Sequence, residues 1–234
     1  MDSTTIETVS FPSESRQLAG RIFSPSLPEA GRRAVFFVHG QKSSQRGYED
    51  RALLASRDLD AMCLTFDLSG HGDDAGNYDK YSVVDHLQDV IAAFDYLVRH
   101  KDVDHSRVGV CGASYGAYLA ALLTARRDIK RLILRAPSLA TDVGFPNREG
   151  RSAAPGEIPD GFDSLAILSG YPGEVLIIES ERDEVIPQSH IAAYRSACSH
   201  AEHEVIPGAT HGISANASWE KAFVLSIVRW FRDL

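Results

Sequence analysis

The sequence predicts an α/β fold, with a mostly parallel eight-stranded sheet, helices on both faces and no large cap domain. Three observations carry this expectation. Short apolar runs alternate with longer amphipathic stretches along nearly the whole chain, the order of strands joined by crossover helices. Several runs, such as AVFFV at 34–38 and EVLII at 174–178, are continuously apolar, as strands covered on both faces are. The 234 residues are 44% hydrophobic with a formal net charge of −8, enough for one large core and incompatible with a disordered chain.

Strands are expected at Ile6–Phe11, Leu18–Phe23, Ala34–Val38, Met62–Asp67, Arg107–Cys111, Leu132–Arg135, Glu174–Glu179 and Glu204–Ile206. The first two follow each other too closely for a crossover helix, so they are expected to form an antiparallel edge. In Val83–His100, the residues Val84, Leu87, Ile91, Phe94 and Val98 recur at three- and four-residue steps, one face of a helix. Ser114–Arg126, Ser189–Cys198 and Trp219–Phe231 are the other helical patterns. Residues 137–173 break the rhythm with 11 Gly or Pro in 37, too short for a second domain. A loop of that length reads as a short lid or a binding loop on a single domain spanning 1–234.

Composition excludes several functions. An excess of 32 acidic over 24 basic residues argues against nucleic acid or an anionic membrane as partner. No apolar stretch reaches membrane-spanning length. The opening MDSTTIETVS has neither the basic nor the apolar region of a secretion signal. Cys63, Cys111 and Cys198 are odd in number and widely spaced, which fits neither a disulfide framework nor common zinc spacings. Cys63 and Cys111 lie in apolar runs and read as small buried hydrophobes. A cytoplasmic protein without metal or cofactor is expected, and a homodimer is left open.

The sharpest chemical feature is Gly112-Ala113-Ser114-Tyr115-Gly116, a G-x-S-x-G match between the strand-like RVGVC and the helix-like YGAYLAALLTA. Strand, tight turn and helix are the context that exposes a nucleophilic serine. The bland alternative is a glycine-rich turn with a serine helix cap. A nucleophilic serine needs a base, and the base needs an orienting carboxylate. Of nine histidines, His211 lies in a glycine-flanked loop after the last strand, where such a sheet presents side chains to a ligand. His100, His105, His200 and His203 sit in polar segments and read as solvated, and His190 as a helix-start residue. Asp183 follows the strand at 174–179 and faces the same sheet edge, with Glu181 and Glu184 as substitutes. The Tyr115 N–H, at the helix start, is the expected oxyanion donor.

The order Ser114, Asp183, His211 resembles that of the α/β-hydrolase superfamily. His39-Gly40 is similar to the HG turn of that family, and Asp67-Leu68-Ser69-Gly70-His71-Gly72 to its D-x-x-G-H-G loop. The resemblance covers about residues 18–234 and points to small, short-lidded serine esterases of the dienelactone-hydrolase and feruloyl-esterase type. Ser114 stands where haloalkane dehalogenases and epoxide hydrolases carry aspartate, and where dienelactone hydrolase itself carries cysteine. The resemblance implies Gln41 as the second oxyanion donor and a structural turn role for His39. Ser69 and Asp74 depart from the family, which often has Arg and Ser there.

The expected reaction is hydrolysis of a compact carboxylic ester through an acyl-enzyme. Runner-up readings are a prolyl-oligopeptidase-type serine peptidase, a thioesterase or an acyltransferase. A non-catalytic binding module on the same fold is the remaining alternative. A dinucleotide site is excluded because G-x-G-x-x-G is absent. Phe145, Ile158, Phe162 and Leu165 are expected to line one wall of an open substrate site, and Arg148 and Arg151 to be solvated or to pair with a substrate carboxylate.

Overall fold

The computed structural model describes residues 4–27, 29–140 and 158–234. Ten elements form the first half: β1 (Thr4–Ser13), β2 (Arg16–Pro25), β3 (Arg32–Val38), α1 (Arg46–Leu59), β4 (Met62–Phe66), a 3₁₀ segment (Gly72–Lys80), α2 (Val83–Val98), β5 (Val103–Ala113), α3 (Tyr115–Leu123) and β6 (Arg131–Arg135). The second half holds α4 (Ser164–Ser169), β7 (Glu174–Ser180), α5 (Gln188–Ala197), β8 (Glu202–Ile206), a 3₁₀ turn (Ile213–Ala215) and α6 (Ala217–Phe231). The strands form one sheet in the order β1-β2-β4-β3-β5-β6-β7-β8. β1 pairs antiparallel with β2, and β2 with β4. Every other pairing is parallel. The expected antiparallel edge and parallel body are both present, and the described residues contain no cap domain.

Period-two alternation divides the core between the sheet faces. Ala34, Phe36 and Val38 of β3 join Val110, Leu132 and Leu134 under α2, α3, α4 and α5. Val35 and Phe37 join Cys111, Ile133, Leu176 and Ile178 under α1 and α6. Cys63, Cys111 and Cys198 are free and buried, and burial pushes the Cys111 thiol up to about 12.

Helix α2 has a face different from the expected one. Val83, Leu87, Val90, Phe94 and Leu97 are buried, whereas Val84 is exposed and Ile91 and Val98 only pack at the margin. The stripe is rotated because Ser82, with a capping box to Asp85, sets the first turn. Helix α1 is absent from the sequence expectation. Its inward positions are Tyr48, Arg51, Ala52, Ala55, Ser56 and Leu59, so the face that meets the sheet is small or polar and its apolar period is weak. β5 also begins earlier, at Val103, through an irregular stretch against β3.

The tightest approach in the fold lies where β5 turns into α3. A Cβ on Gly116 would stand 2.3 Å from the Val38 carbonyl oxygen and 2.4 Å from that of His39. One on Gly112 would stand 2.4 Å from the Gly116 carbonyl oxygen. These obstacles are backbone and cannot swing aside. Gly116→Ala is therefore expected to cost about 2–3 kcal/mol or more in urea unfolding. Gly76→Ala, where nothing lies within 4 Å of the added atom, should stay close to wild type. Equal stability of the two variants would contradict the close approach.

Candidate active site

The site is assembled at the C-terminal ends of β3, β5, β6, β7 and β8. Ser114 joins β5 to α3 with φ 55° and ψ −123°, a conformation that non-glycine residues adopt only when their surroundings impose it. Its N–H donates to the Arg135 carbonyl at 2.9 Å, while its own carbonyl accepts from Ala117, Tyr118 and Ser138. Tyr115, the first residue of α3, has an N–H for which the helix offers no partner.

His211 and Asp183 come together on the loops after β8 and β7. His211 Nδ1 lies 3.0 and 2.9 Å from the two Asp183 carboxylate oxygens. A carboxylate only accepts, so Nδ1 carries the proton and Nε2 of the neutral ring keeps its lone pair. Asp183 Oδ1 also accepts from Val185 N–H at 2.9 Å and Ile186 N–H at 2.8 Å. Burial raises the Asp183 pKa, but the bonds from His211, Ile186 and Val185 outweigh it and hold the carboxyl below its ordinary value. Glu181 and Glu184 do different work. Glu181 accepts from the Gly208 N–H and Glu184 from the backbone N–H of His211, so both brace the histidine loop and neither meets the ring.

Ser114 and His211 line one cavity of about 210 Å³, with Gly40, Gln41, Ser43, Tyr48, Arg51, Arg135, Ile213 and Ser214 among its walls. No hydrogen bond joins the Ser114 hydroxyl to His211 in this conformation among the described residues; such bonds are often long before substrate arrives and close in the complex. Gln41 lies beside Ser114 in this wall, and its side-chain amide bonds the Tyr78 hydroxyl.

The other expected substrate contacts lie elsewhere. Phe162 packs on the α2/α3 side, with the Tyr118 hydroxyl donating to its carbonyl and the Arg126 guanidinium over its ring. Leu165 packs against the same core, and Ile158 is exposed and outside the cavity wall. These apolar side chains follow the short α4, whose inner side is drawn to the core by Leu168. Phe145, Arg148 and Arg151 lie outside the described residues.

Sequence reasoning missed Tyr48, Arg51, Arg135 and Ser214. Arg51 is buried and forked onto Glu220, with Nε–Oε1 at 2.6 Å and Nη2–Oε2 at 2.7 Å, and Nη2 also donates to Ser214 Oγ. Its guanidinium lies over the Tyr48 and Phe223 rings. Arg135 donates from both Nη atoms to the His211 carbonyl. Desolvation lowers the pKa of Arg135, nearby Tyr48 and Asp183 partly restore it, and the Arg51 charge lowers it further. The available signal was an arginine closing a strand whose three central residues are apolar.

Behind the Ser114 turn lie three imidazoles in contact, with His71 tilted against His39 at 5.0 Å and edge-on to His86 at 5.1 Å between ring centres. The Leu68 N–H donates to His39 Nε2, so Nδ1 carries the proton toward the Gly40 carbonyl. The Ser69 carbonyl fixes the His86 proton on Nε2, leaving Nδ1 to accept from the Tyr115 hydroxyl at 2.9 Å. His39 is thus a turn residue, as expected. Of the histidines read as solvated, His105 and His200 are exposed, whereas the half-buried His203 pairs with Glu179 at 3.0 Å and the half-buried His100 accepts from the Asp102 N–H. Among the described residues, no group of three His, Cys, Asp or Glu side chains is arranged to hold a metal ion.

This sheet order and nucleophile turn define an α/β-hydrolase fold. The chain belongs to the hydrolase family described as serine aminopeptidase S33, whose model matches residues 29–155. An uncharacterized protein of Mycobacterium tuberculosis is 27% identical over 184 residues, covering 76% of this chain and 62% of that protein. Human alpha/beta hydrolase domain-containing protein 17C is 28% identical over 160 residues, covering 68% of this chain and 46% of its own length. The chain thus spans about half to three-fifths of these relatives. Among solved structures, Est1E of Butyrivibrio proteoclasticus with ferulic acid bound is similar at TM-score 0.76 and 19% identity, covering 96% of this chain and 98% of that one. The carboxylesterase EstE1, cloned from a metagenomic library, reaches TM-score 0.78 at 18% identity, covering 100% and 90%. At these identities the structures share the fold.

The buried imidazoles make a pH prediction. Burial, reinforced by neighbouring imidazoles, draws His39 down to about 3 and His86 to about 4, against an ordinary 6.5. Below pH 6.5 the unfolded chain takes protons that the folded chain refuses, so this stability is full above 6.5 and is lost as pH falls toward 4. Each such histidine adds a slope of up to about 1.4 kcal/mol per pH unit. Urea unfolding at pH 7 and pH 5 should show a smaller loss for His86→Gln than for wild type. An unchanged loss would mean that His86 is protonated in the fold.

Proposed function

We propose that the protein is a serine hydrolase that cleaves a compact carboxylic ester through an acyl-enzyme intermediate. The observation that carries the reading is that His211, bonded to Asp183, lines the same cavity as a serine held at positive φ on a strand-to-helix turn. In this mechanism Ser114 Oγ attacks the ester carbonyl as His211 Nε2 takes its proton. Asp183 holds the ring and stabilises the imidazolium. The N–H groups of Tyr115 and Gln41 receive the oxyanion, each such donor lowering the barrier by roughly 3–4 kcal/mol. His211 then returns the proton to the departing alkoxide, and water releases the acid by the same steps in reverse.

The family description names an aminopeptidase, and a peptidase reading must be weighed. An aminopeptidase has to receive a substrate ammonium, which calls for a carboxylate in the wall. Among the described residues the wall contributes two guanidiniums and no carboxylate, which favours an ester over an N-terminal amine. The cavity is below the usual range of roughly 300–1,000 Å³ for drug-sized ligands, which supports short acyl groups. The reading treats residues 1–234 as one catalytic unit, and three free buried cysteines support a cytoplasmic setting.

Ser114→Ala should lower kcat on a short-chain ester by roughly 10⁴-fold or more, with wild-type folding by circular dichroism. A fluorophosphonate should label Ser114 in the wild-type protein, and peptide mapping that found another serine labelled would overturn the assignment. Asp183→Asn should cost roughly 10⁴-fold in kcat by favouring the wrong histidine tautomer. Glu184→Gln should cost less, because it touches only the backbone of the base loop. The reverse ranking would move the acid to Glu184.

A further inference from the structure

β6 carries Leu132, Ile133 and Leu134 between two arginines, and Arg135 ends it at the wall of the Ser114 cavity. Alternation sends Leu132 and Leu134 under α2 and α3, and turns Ile133 and Arg135 toward α1 and α6. There Arg135 is 5% exposed. Its Nη atoms reach the His211 carbonyl, its Nε has no partner, and no carboxylate pairs with it among the described residues. A guanidinium is rarely buried without an anion, since one neutral carbonyl does not repay its lost hydration.

The surroundings make the deficit specific. Arg51, the second guanidinium in the wall, is already satisfied by Glu220 and Ser214. Asp183 is near but engaged by His211, Val185 and Ile186, and does not line the cavity. The other polar side chains of the wall are Gln41, Ser43, Tyr48, Ser114, His211 and Ser214; the Ser214 hydroxyl is given to Glu220, and the Ser43 and Tyr48 hydroxyls are able to donate to an anion. Among the described residues, one wall of the site is therefore cationic, rich in donors and free of carboxylates.

We infer that the substrate of this site carries its own carboxylate, a few bonds from the scissile ester, and that Arg135 receives it. The inference rests on the serine-hydrolase reading and narrows it to short half-esters of dicarboxylic acids or acylated hydroxy acids. Each Nη of Arg135 has a second N–H beside the one given to the His211 carbonyl, and such a charged donor suits a carboxylate oxygen. The small volume leaves room for a short acid beside the ester and none for a long chain. Arg135 is thus a specificity-determining residue that also steadies the carbonyl of the catalytic histidine.

The test compares esters that differ by one atom group. Monomethyl succinate and methyl levulinate present the carboxylate, or a methyl ketone in its place, on the acyl side. Acetoxyacetate and acetoxyacetone do the same on the alcohol side. Acid release in a pH-stat gives the kcat/KM ratio of charged over neutral substrate. In at least one pair the wild-type ratio should be about tenfold or more, an effect of about 1.4 kcal/mol. Arg135→Gln should bring it to about one, and Arg135→Lys, which keeps the charge without the fork, should leave an intermediate value. Any general loss from loosening His211 cancels in the ratio. A ratio near one for both pairs in the wild type, or one unchanged in Arg135→Gln, overturns the inference. If none of the esters is turned over and fluorophosphonate does not label Ser114, the hydrolase reading fails by itself. Calorimetry with succinate then decides the anion site separately: binding to Ser114→Ala that disappears when Arg135→Gln is added supports it, and no binding at millimolar succinate overturns it.

Discussion

The site depends on one backbone constraint, the positive φ of Ser114 at the junction of β5 and α3. That conformation turns the chain through a tight angle and keeps the hydroxyl clear of both elements. It is held from below by the Ser114 N–H bond to the Arg135 carbonyl and from above by bonds to the Ser114 carbonyl from the first turn of α3 and from Ser138. Gly112 and Gly116 let the helix start against the strand, because any side chain there would meet backbone oxygen within 2.4 Å. The strain is offset by the parallel ladder on either side of β5, which cannot relax without unpairing β3 and β6.

The same residue that anchors the turn also reaches the base. Arg135 accepts from Ser114 through its carbonyl and donates to the His211 carbonyl through its guanidinium. The loops after β7 and β8 are joined by the bonds from Arg182 N–H to the Ala209 carbonyl and from Glu181 N–H to the Ile206 carbonyl. Glu181 and Glu184 add side-chain acceptors for Gly208 and His211. Ser114, His211 and Asp183 therefore sit at three strand ends whose spacing is set by the sheet, and the His211 loop is braced by Glu181, Glu184 and Arg135. Such bracing keeps a reacting geometry within a fraction of an ångström.

The parallel sheet, its antiparallel edge and the Ser114, Asp183 and His211 positions were legible because each rests on a local signal. Those signals are apolar runs, a glycine-flanked serine, and polar residues just beyond a strand. Helix α1 was not, because its buried face is built from Arg51, Ser56 and alanines and carries little apolar period. The α2 stripe was off by one position, since Val84 and Val98 are as apolar as their neighbours and only the Ser82 cap decides which side turns inward. The substrate wall was assigned to Phe162 and Leu165, which the core claims instead. Arg51 and Arg135 were invisible as wall residues because their role depends on partners distant in sequence, Glu220 and His211, that the fold alone brings near.

The histidines show how burial sorts one residue type into separate tasks. His39, His71 and His86 are enclosed, and desolvation lowers the pKa of all three. Each has a ring nitrogen committed to a backbone carbonyl, and two have the other nitrogen committed to a donor. Such a ring cannot accept a proton without breaking a buried bond, so it serves as a neutral spacer beneath the HG turn and Tyr115. His211 differs in every respect that matters for a base. Its side chain is 22% exposed, its Nδ1 proton faces a carboxylate rather than a neutral carbonyl, and its Nε2 remains uncommitted. An imidazolium formed there would be stabilised by Asp183 directly, whereas one formed at His39 or His86 would meet two other imidazoles. His39 and His86 face backbone and neighbouring imidazoles while His211 faces a carboxylate, and the difference between the rings lies in what each one faces.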